Sequence, residues 1–224
     1  DAALYDTVRA VRDLCIGLGI SIPVGKDSMS MRTTWRDARG DHAVTAPISL
    51  IVSAFAPSID ARACLTPLLR DDVGEGETCL VHLDIADGQR RLGASALAQV
   101  HSQLGDDAPD VDDPSRLAAF FTLVRTLAGG GVALAYHDIG DGGLIVTLLE
   151  MAFASRCGLD IDAGTGDVLA EMFAEELGAV IEVRARDAGA VVTAAADAGL
   201  RARVVARPTA GDRILVHDAA RTLL

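Results

Sequence analysis

Three short stretches of the chain carry residue types suited to phosphate or metal chemistry. Pro23-Val24-Gly25-Lys26-Asp27-Ser28-Met29-Ser30-Met31 sets a glycine beside a cation, a carboxylate and two hydroxyls. A glycine lets backbone amides approach a phosphate closely, and the lysine and serines add charge and hydrogen bonds. The spacing is not that of a P-loop. Gly19 lies six positions before Gly25 rather than five, and Asp27 stands where Ser or Thr should follow the lysine. A polar turn between strands accounts for the same residues.

Tyr136-His137-Asp138-Ile139-Gly140-Asp141-Gly142-Gly143-Leu144 lies where an apolar run ends and a helical pattern begins. That is where α/β folds place ligands, because free amides at a helix N-terminus face the crevice. Asp138 and Asp141 offer hard oxygen ligands of the kind Mg²⁺ shares with nucleotide phosphates. A local reading competes: Asp141 caps the helix and Asp138 closes the turn. His137 reads as a structural or supporting residue. In Arg90-Arg91-Leu92-Gly93-Ala94-Ser95-Ala96-Leu97, a helix start built of small residues favours close packing over anion contact. Cys157, beside Arg156, has no base that can be placed near it and reads as a core thiol.

The elements that would position these residues follow from periodicity. Leu4, Val8, Val11, Cys15 and Leu18 recur at helical spacing, predicting a helix over 2–18 that stops at Gly19. Residues 21–31 read as a short strand broken by the glycine loop, 35–44 as a loop, and the apolar run 46–56 as a strand. Residues 57–77 hold two prolines and several charges and read as a domain junction. Beyond it, strands are expected at 79–85, 132–139, 159–162, 179–184, 202–206 and 214–217. Helices are expected at 93–104, 114–127, 142–156, 168–176 and 187–198, with Asp113 capping the second and Pro114 at its first position. Strand and helix alternate, so the fold class is α/β, with α+β layers.

Half the residues are hydrophobic but only 4% are aromatic. The core is therefore Ala, Val, Leu and Ile, as in sheets of parallel-type strands. The net charge of −12 argues against non-specific binding to nucleic acid or anionic membrane. Eleven acidic residues fall in 71–113 against Arg90 and Arg91, and that stretch reads mostly as solvated surface. Cys15, Cys64, Cys79 and Cys157 have no metal-binding spacing and read as reduced, small hydrophobes of a cytoplasmic protein. No apolar run is long enough to span a membrane, and no signal-peptide pattern opens the chain. The first residue is not Met and already lies in a helical pattern, so the chain reads as cut from something longer. Lys26 is the single lysine among 20 basic residues, marking a site where a compact ammonium is preferred to a planar fork, or chance.

Taken in order, PVGKDSMSM, RLGASALAQV, APDVDDP, YHDxxDGGLxVTLLEMAFA and FAEELGAVIEVR closely resemble the large, single-chain formylglycinamidine ribonucleotide synthases, and the resemblance runs along essentially the whole chain. It implies an aminoimidazole-ribonucleotide-synthetase-like C-terminal domain over 59–224, preceded by part of an N-terminal-type domain over 1–58. It implies ATP-dependent conversion of formylglycinamide ribonucleotide and glutamine to the amidine, in which ATP activates the amide oxygen and ammonia displaces phosphate. The implied cofactors are Mg²⁺ and ATP or ADP, the implied partner is the remainder of one large chain, and the segment alone is expected to be inactive. The resemblance carries no catalytic residue onto this chain. It makes Asp138 an Mg²⁺ ligand and places Gly140, Lys26, Asp27 and Ser28 on the nucleotide, with ADP held structurally. Gly140 departs from the usual Ser of the family, so a hydroxyl is lost while a backbone amide remains. Sibling synthetases and kinases of the superfamily lack the combination of PVGKDSMSM and APDVDDP. A different class of reading, a structural pseudo-domain that binds nothing and packs on its duplicated partner, is favoured by that departure at Gly140.

Overall fold

The computed structural model describes residues 2–26, 31–58, 60–70, 78–218 and 221–223. The chain divides into two compact units, Asp1–Ala61 and Arg62–Leu224.

In the first unit, α1 (Ala2–Leu18) forms where the apolar spacing predicts it. Leu4, Val11, Leu14, Cys15 and Leu18 are its half-buried side. Gly19 ends it in the left-handed region (φ 66°), and the Ile20 amide closes back onto the Cys15 carbonyl at 2.9 Å. The strands of this unit are not those the sequence predicts. β1 (Arg32–Asp37) and β2 (Gly40–Thr45) pair antiparallel across the segment read as a loop, in register from Arg32↔Thr45 to Asp37↔Gly40. Their residues are polar and mostly exposed, so the usual apolar signal is missing. Pairing is supported locally by Trp35 stacked on His42 (centroids 5.1 Å apart) and by Arg36 bound to Asp41 at 2.7 Å. The described residues of 21–31 and the apolar run 46–56 form no strand. An apolar run makes a strand only when a neighbour supplies the ladder, and this unit's one described sheet is the hairpin.

In the second unit a six-stranded sheet runs β4-β6-β3-β7-β5-β8. The strands are β3 (Thr78–Asp84), β4 (Ala135–Asp138), β5 (Gly158–Asp162), β6 (Gly178–Arg184), β7 (Arg201–Thr209) and β8 (Ile214–His217). Every neighbouring pair is antiparallel except β5–β8, which corrects the expectation of parallel-type strands. The aliphatic composition has another cause: both faces of this sheet are covered. Helices α4 (Gly143–Ser155) and α5 (Val168–Phe173) pack one face with Leu80, Leu144, Leu148, Met151, Ile161 and Val180. Helices α3 (Pro114–Gly129) and α6 (Ala188–Asp197) pack the other with Cys79, Val81, Leu83, Leu123, Ile181 and Val191. β3 thus alternates between two cores, as strand geometry requires, and both of its faces read as apolar.

Asp113 caps α3 by accepting from the Ser115 amide at 2.8 Å, with Pro114 in the first turn. The helix expected over 93–104 shrinks to α2 (Ala96–Val100). The Gly93 amide is taken by the Asp107 carbonyl at 2.7 Å and the Ala94 amide by the Leu104 carbonyl at 2.6 Å. A side chain at Gly93 would sit 2.3 Å from that Asp107 carbonyl, so the tight return of 104–107 replaces helix there. Cys79 is buried and Cys157 half-buried, and burial raises both thiols above their ordinary range. Among the described residues, no helix is long and apolar enough to cross a membrane.

Candidate functional site

The Asp138–Gly143 loop leaves the end of β4 and enters α4. Its start is fixed by the Ile139 amide, which donates to the Gly178 carbonyl at 2.9 Å. Its end is fixed by shape. Gly143 has φ 73°, and a Cβ there would lie 2.7–2.8 Å from backbone atoms of Met172, Phe173 and Ala174. Gly142 is the N-cap of α4, at φ 87° and without a side-chain cap. Asp141 is therefore not the cap, which corrects that local reading. The two glycine amides at the helix start are already engaged: Gly143 donates to the Gly140 carbonyl at 3.0 Å, and Gly142 donates to Glu175 Oε1 at 2.7 Å. They are not the free helix-end amides that the sequence suggests.

What the loop presents outward is Asp138, Gly140 and Asp141. The Asp138 side chain is 74% exposed, and His137 Nδ1 lies 3.7 Å from its Oδ1. His137 turns Nε2 to Glu150 at 2.8 Å, so its ring stands between two carboxylates. A side chain at Gly140 would meet nothing within 4 Å, and its φ is not positive, so the missing hydroxyl reflects no steric exclusion. Among the described residues, no group of three or more His, Cys, Asp or Glu is assembled that could hold a metal by itself. Asp138 fits the other kind of site, in which Mg²⁺ keeps several waters and is held by one or two carboxylates together with phosphates.

Behind the loop lies a charged cluster that the sequence reading missed. Asp84, at the end of β3, is buried and bonds Arg90 Nη1 at 2.9 Å, while Arg90 Nε reaches Glu171 at 3.0 Å. Arg203 on β7 approaches the same Glu171 at 3.7 Å. The stretch read as solvated acid therefore includes a buried structural carboxylate. His82, two residues before Asp84 on the same face, is buried beside this cluster. Burial first, then Arg90 and Arg203, push its pKa down to about 3, against a smaller upward pull from Glu171. The cavity among His82, Arg90, Ile139, Leu144, Glu171 and Glu176 measures about 10 Å³, room for one water and not for a nucleotide. Arg90 and Arg91 are thus committed to carboxylates, in keeping with the packing reading of their motif.

Lys26 lies in the first unit and is exposed, whereas Asp138 and Gly140 share one loop of the second. Asp27 and Ser28 lie outside the described residues. A larger concavity, about 510 Å³, is lined by Arg32, Trp35, Arg36 and His42 of the hairpin, and none of the sequence-predicted site residues borders it.

Comparison with known proteins agrees with the fold. Residues 1–57 match the FGAR-AT PurM_N-like domain, and residues 79–218 match the AIR synthase related protein C-terminal domain. Among solved structures, the chain is similar to Thermotoga maritima PurL complexed with FGAR (TM-score 0.66, 13% identity, covering 96% of this chain and 35% of that one). It is also similar to T. maritima PurL complexed with ATP (TM-score 0.57, 11% identity, 82% and 27%). A third similar structure is phosphoribosylformylglycinamidine synthase II of the same organism (TM-score 0.62, 11% identity, 96% and 33%). At such identities the likeness shows a shared fold, and the chain spans about a third of the length of these relatives. With the family model matched over most of the second unit, the chain belongs to the AIR synthase related proteins, carrying their C-terminal domain behind an FGAR-AT PurM_N-like segment.

Proposed function

We propose that this chain is part of a phosphoribosylformylglycinamidine synthase, an ATP-dependent, glutamine-using ligase of purine biosynthesis, and that it contributes one wall of an Mg-nucleotide pocket. The observation that carries the reading is the Asp138–Gly143 loop: an exposed carboxylate and an open glycine backbone, on a loop fixed at both ends. The tandem match to an FGAR-AT segment and an AIR-synthase-type domain supports it, as do the structures of PurL complexed with ATP, ADP and FGAR. The cavity among His82, Arg90 and Glu171 is too small for a nucleotide; in this reading the nucleotide meets the loop's outer side.

In this reading Asp138 is the protein's oxygen ligand to Mg²⁺, and the bound ion neutralises phosphate charge. Gly140 offers its backbone. The nucleotide is ADP held structurally, and the turning-over ATP, the glutaminase and the other synthetase half belong to the rest of a large cytoplasmic chain. The segment alone is inactive. The test is ADP release by the full-length protein with ATP, Mg²⁺ and formylglycinamide ribonucleotide, with and without glutamine, together with the ADP content of Asp138→Asn. Release that requires the ribonucleotide and an ammonia source, with ADP lost from the variant, supports the reading. Unchanged ADP content in Asp138→Asn favours the second reading, a domain that packs on its duplicated partner and binds nothing, for which the missing hydroxyl at Gly140 speaks.

A further inference from the structure

We infer that Glu175 is a positioning residue for the Asp138–Gly140 loop, an inference that rests on the nucleotide reading above. One oxygen, Oε1, accepts from the Gly142 amide at 2.7 Å and from the Ala96 amide at 2.8 Å. It therefore ties the start of α4 to the start of α2, two segments far apart in the chain. Within the loop, the Gly143 amide donates to the Gly140 carbonyl at 3.0 Å. Gly142 has a left-handed backbone, and as the N-cap it has no side chain to cap α4. The Ile139 amide anchors the loop before Gly140, and the packing of Gly143 anchors it after. Between those points Glu175 supplies the side-chain bond.

Its own backbone is well placed for this. Ala174 leaves α5 with an extended backbone, and the next three residues lead directly into β6, so Glu175 projects from a short segment between two packed elements. The adjacent Glu176 is buried and bound to Arg91, which holds the segment from the other side. A carboxylate beside the N-terminal end of α4 is also favourable for the helix dipole. Asp138 is held by the β4–β6 ladder and Gly140 by the Gly143 amide; Glu175 adds the long-range side-chain bond that fixes the Gly142 amide between them and α4.

The test is titration of the full-length protein, stripped of co-purified nucleotide, with ADP and Mg²⁺ by calorimetry. Each variant is measured well below its own unfolding temperature. Glu175→Ala loses both bonds and should weaken ADP binding about tenfold. Glu175→Gln keeps an oxygen that accepts from both amides and should restore affinity to within about twofold. Glu175→Asp, which keeps the charge but shortens the reach, should weaken binding like the alanine variant and serves if the latter does not fold. Asp138→Asn is the control for the underlying reading. If it weakens binding while Glu175→Ala and Glu175→Asp match the unmodified protein, the positioning role is overturned and the nucleotide site stands. If Asp138→Asn and the Glu175 variants all bind ADP normally, the site itself is overturned.

Discussion

Arg91 and Glu176 meet in a two-point ion pair, Nε on Oε1 at 2.7 Å and Nη2 on Oε2 at 2.8 Å, with both side chains almost withdrawn from water. Glu176 also accepts from the Arg91 amide at 2.9 Å, and Arg91 extends to Asp112 and to the Asp110 carbonyl. The pair thus joins three segments: the turn after β3, the acidic loop before α3 and the approach to β6. Glu176 first, then Asp112, holds the guanidinium charge by raising its pKa.

Arg91→Ala should destabilise the protein severely, because it leaves a buried carboxylate without its counter-charge. A pair of this kind costs about 3–5 kcal/mol when one partner is removed. Arg91→Lys should be only a partial remedy, since an ammonium cannot reproduce the parallel two-point contact. Denaturant unfolding measures both. A loss below about 1 kcal/mol for Arg91→Ala would place the contact with ordinary surface pairs.

Acid should weaken the fold through His82. Its folded pKa of about 3 lies below the ordinary 6.5, because burial, Arg90 and Arg203 all oppose a charged ring and Glu171 only partly offsets them. The unfolded chain therefore binds a proton that the folded chain refuses. By linkage, stability is constant with respect to this group above about pH 6.5 and falls as the pH is lowered from there toward about 3. The slope contributed is at most about 1.4 kcal/mol per pH unit. His82→Gln should flatten stability between pH 6.5 and 5, a range above most carboxylate titration. The measured quantity is the slope, so any constant destabilisation by the substitution does not disturb the comparison. An unchanged slope would show that His82 titrates normally in the folded state.

How far the sequence could be read depended on where each signal came from. In the second unit, strands and helices announced themselves because each buries residues against a sheet covered on both sides. Periodicity, the Asp113-Pro114 start of α3 and the glycines that end it were local signals. The antiparallel order was hidden, since strand direction depends on connections and not on composition. In the first unit the signal inverted: the hairpin Arg32–Thr45 is polar and exposed, while the apolar 46–56 run has no ladder partner among the described residues. At the candidate site, the glycine-rich turn by itself pointed to Asp138 and Asp141, both exposed, while Gly140 was singled out only by the family resemblance. The groups behind the turn were not legible. Glu175 reaches Gly142 and Ala96, and Glu171 reaches Arg90, across separations of 33, 79 and 81 residues, so no spacing rule connects them.

The glycines of the loop should respond oppositely to substitution. Gly140→Ser meets open space and needs no left-handed backbone, so its effect on stability should stay within about 0.5 kcal/mol. In the nucleotide reading it also returns a hydroxyl to the ligand and should tighten ADP binding in the full-length protein. Gly143→Ala has neither freedom. Its φ of 73° strains any side chain, and its Cβ would press on the backbone of Met172, Phe173 and Ala174, which cannot rotate away. The backbone strain alone costs about 1–3 kcal/mol, and the displaced α5 end adds the cost of overpacking, about 1–3 kcal/mol more. That end leads directly to Glu175, so the same substitution should also loosen the Gly142 anchor. Thermal unfolding of the two variants side by side makes the comparison. A stable Gly143→Ala would mean that the Asp138–Gly143 loop can move away from α5, and that its outward geometry is not set by the packing described above.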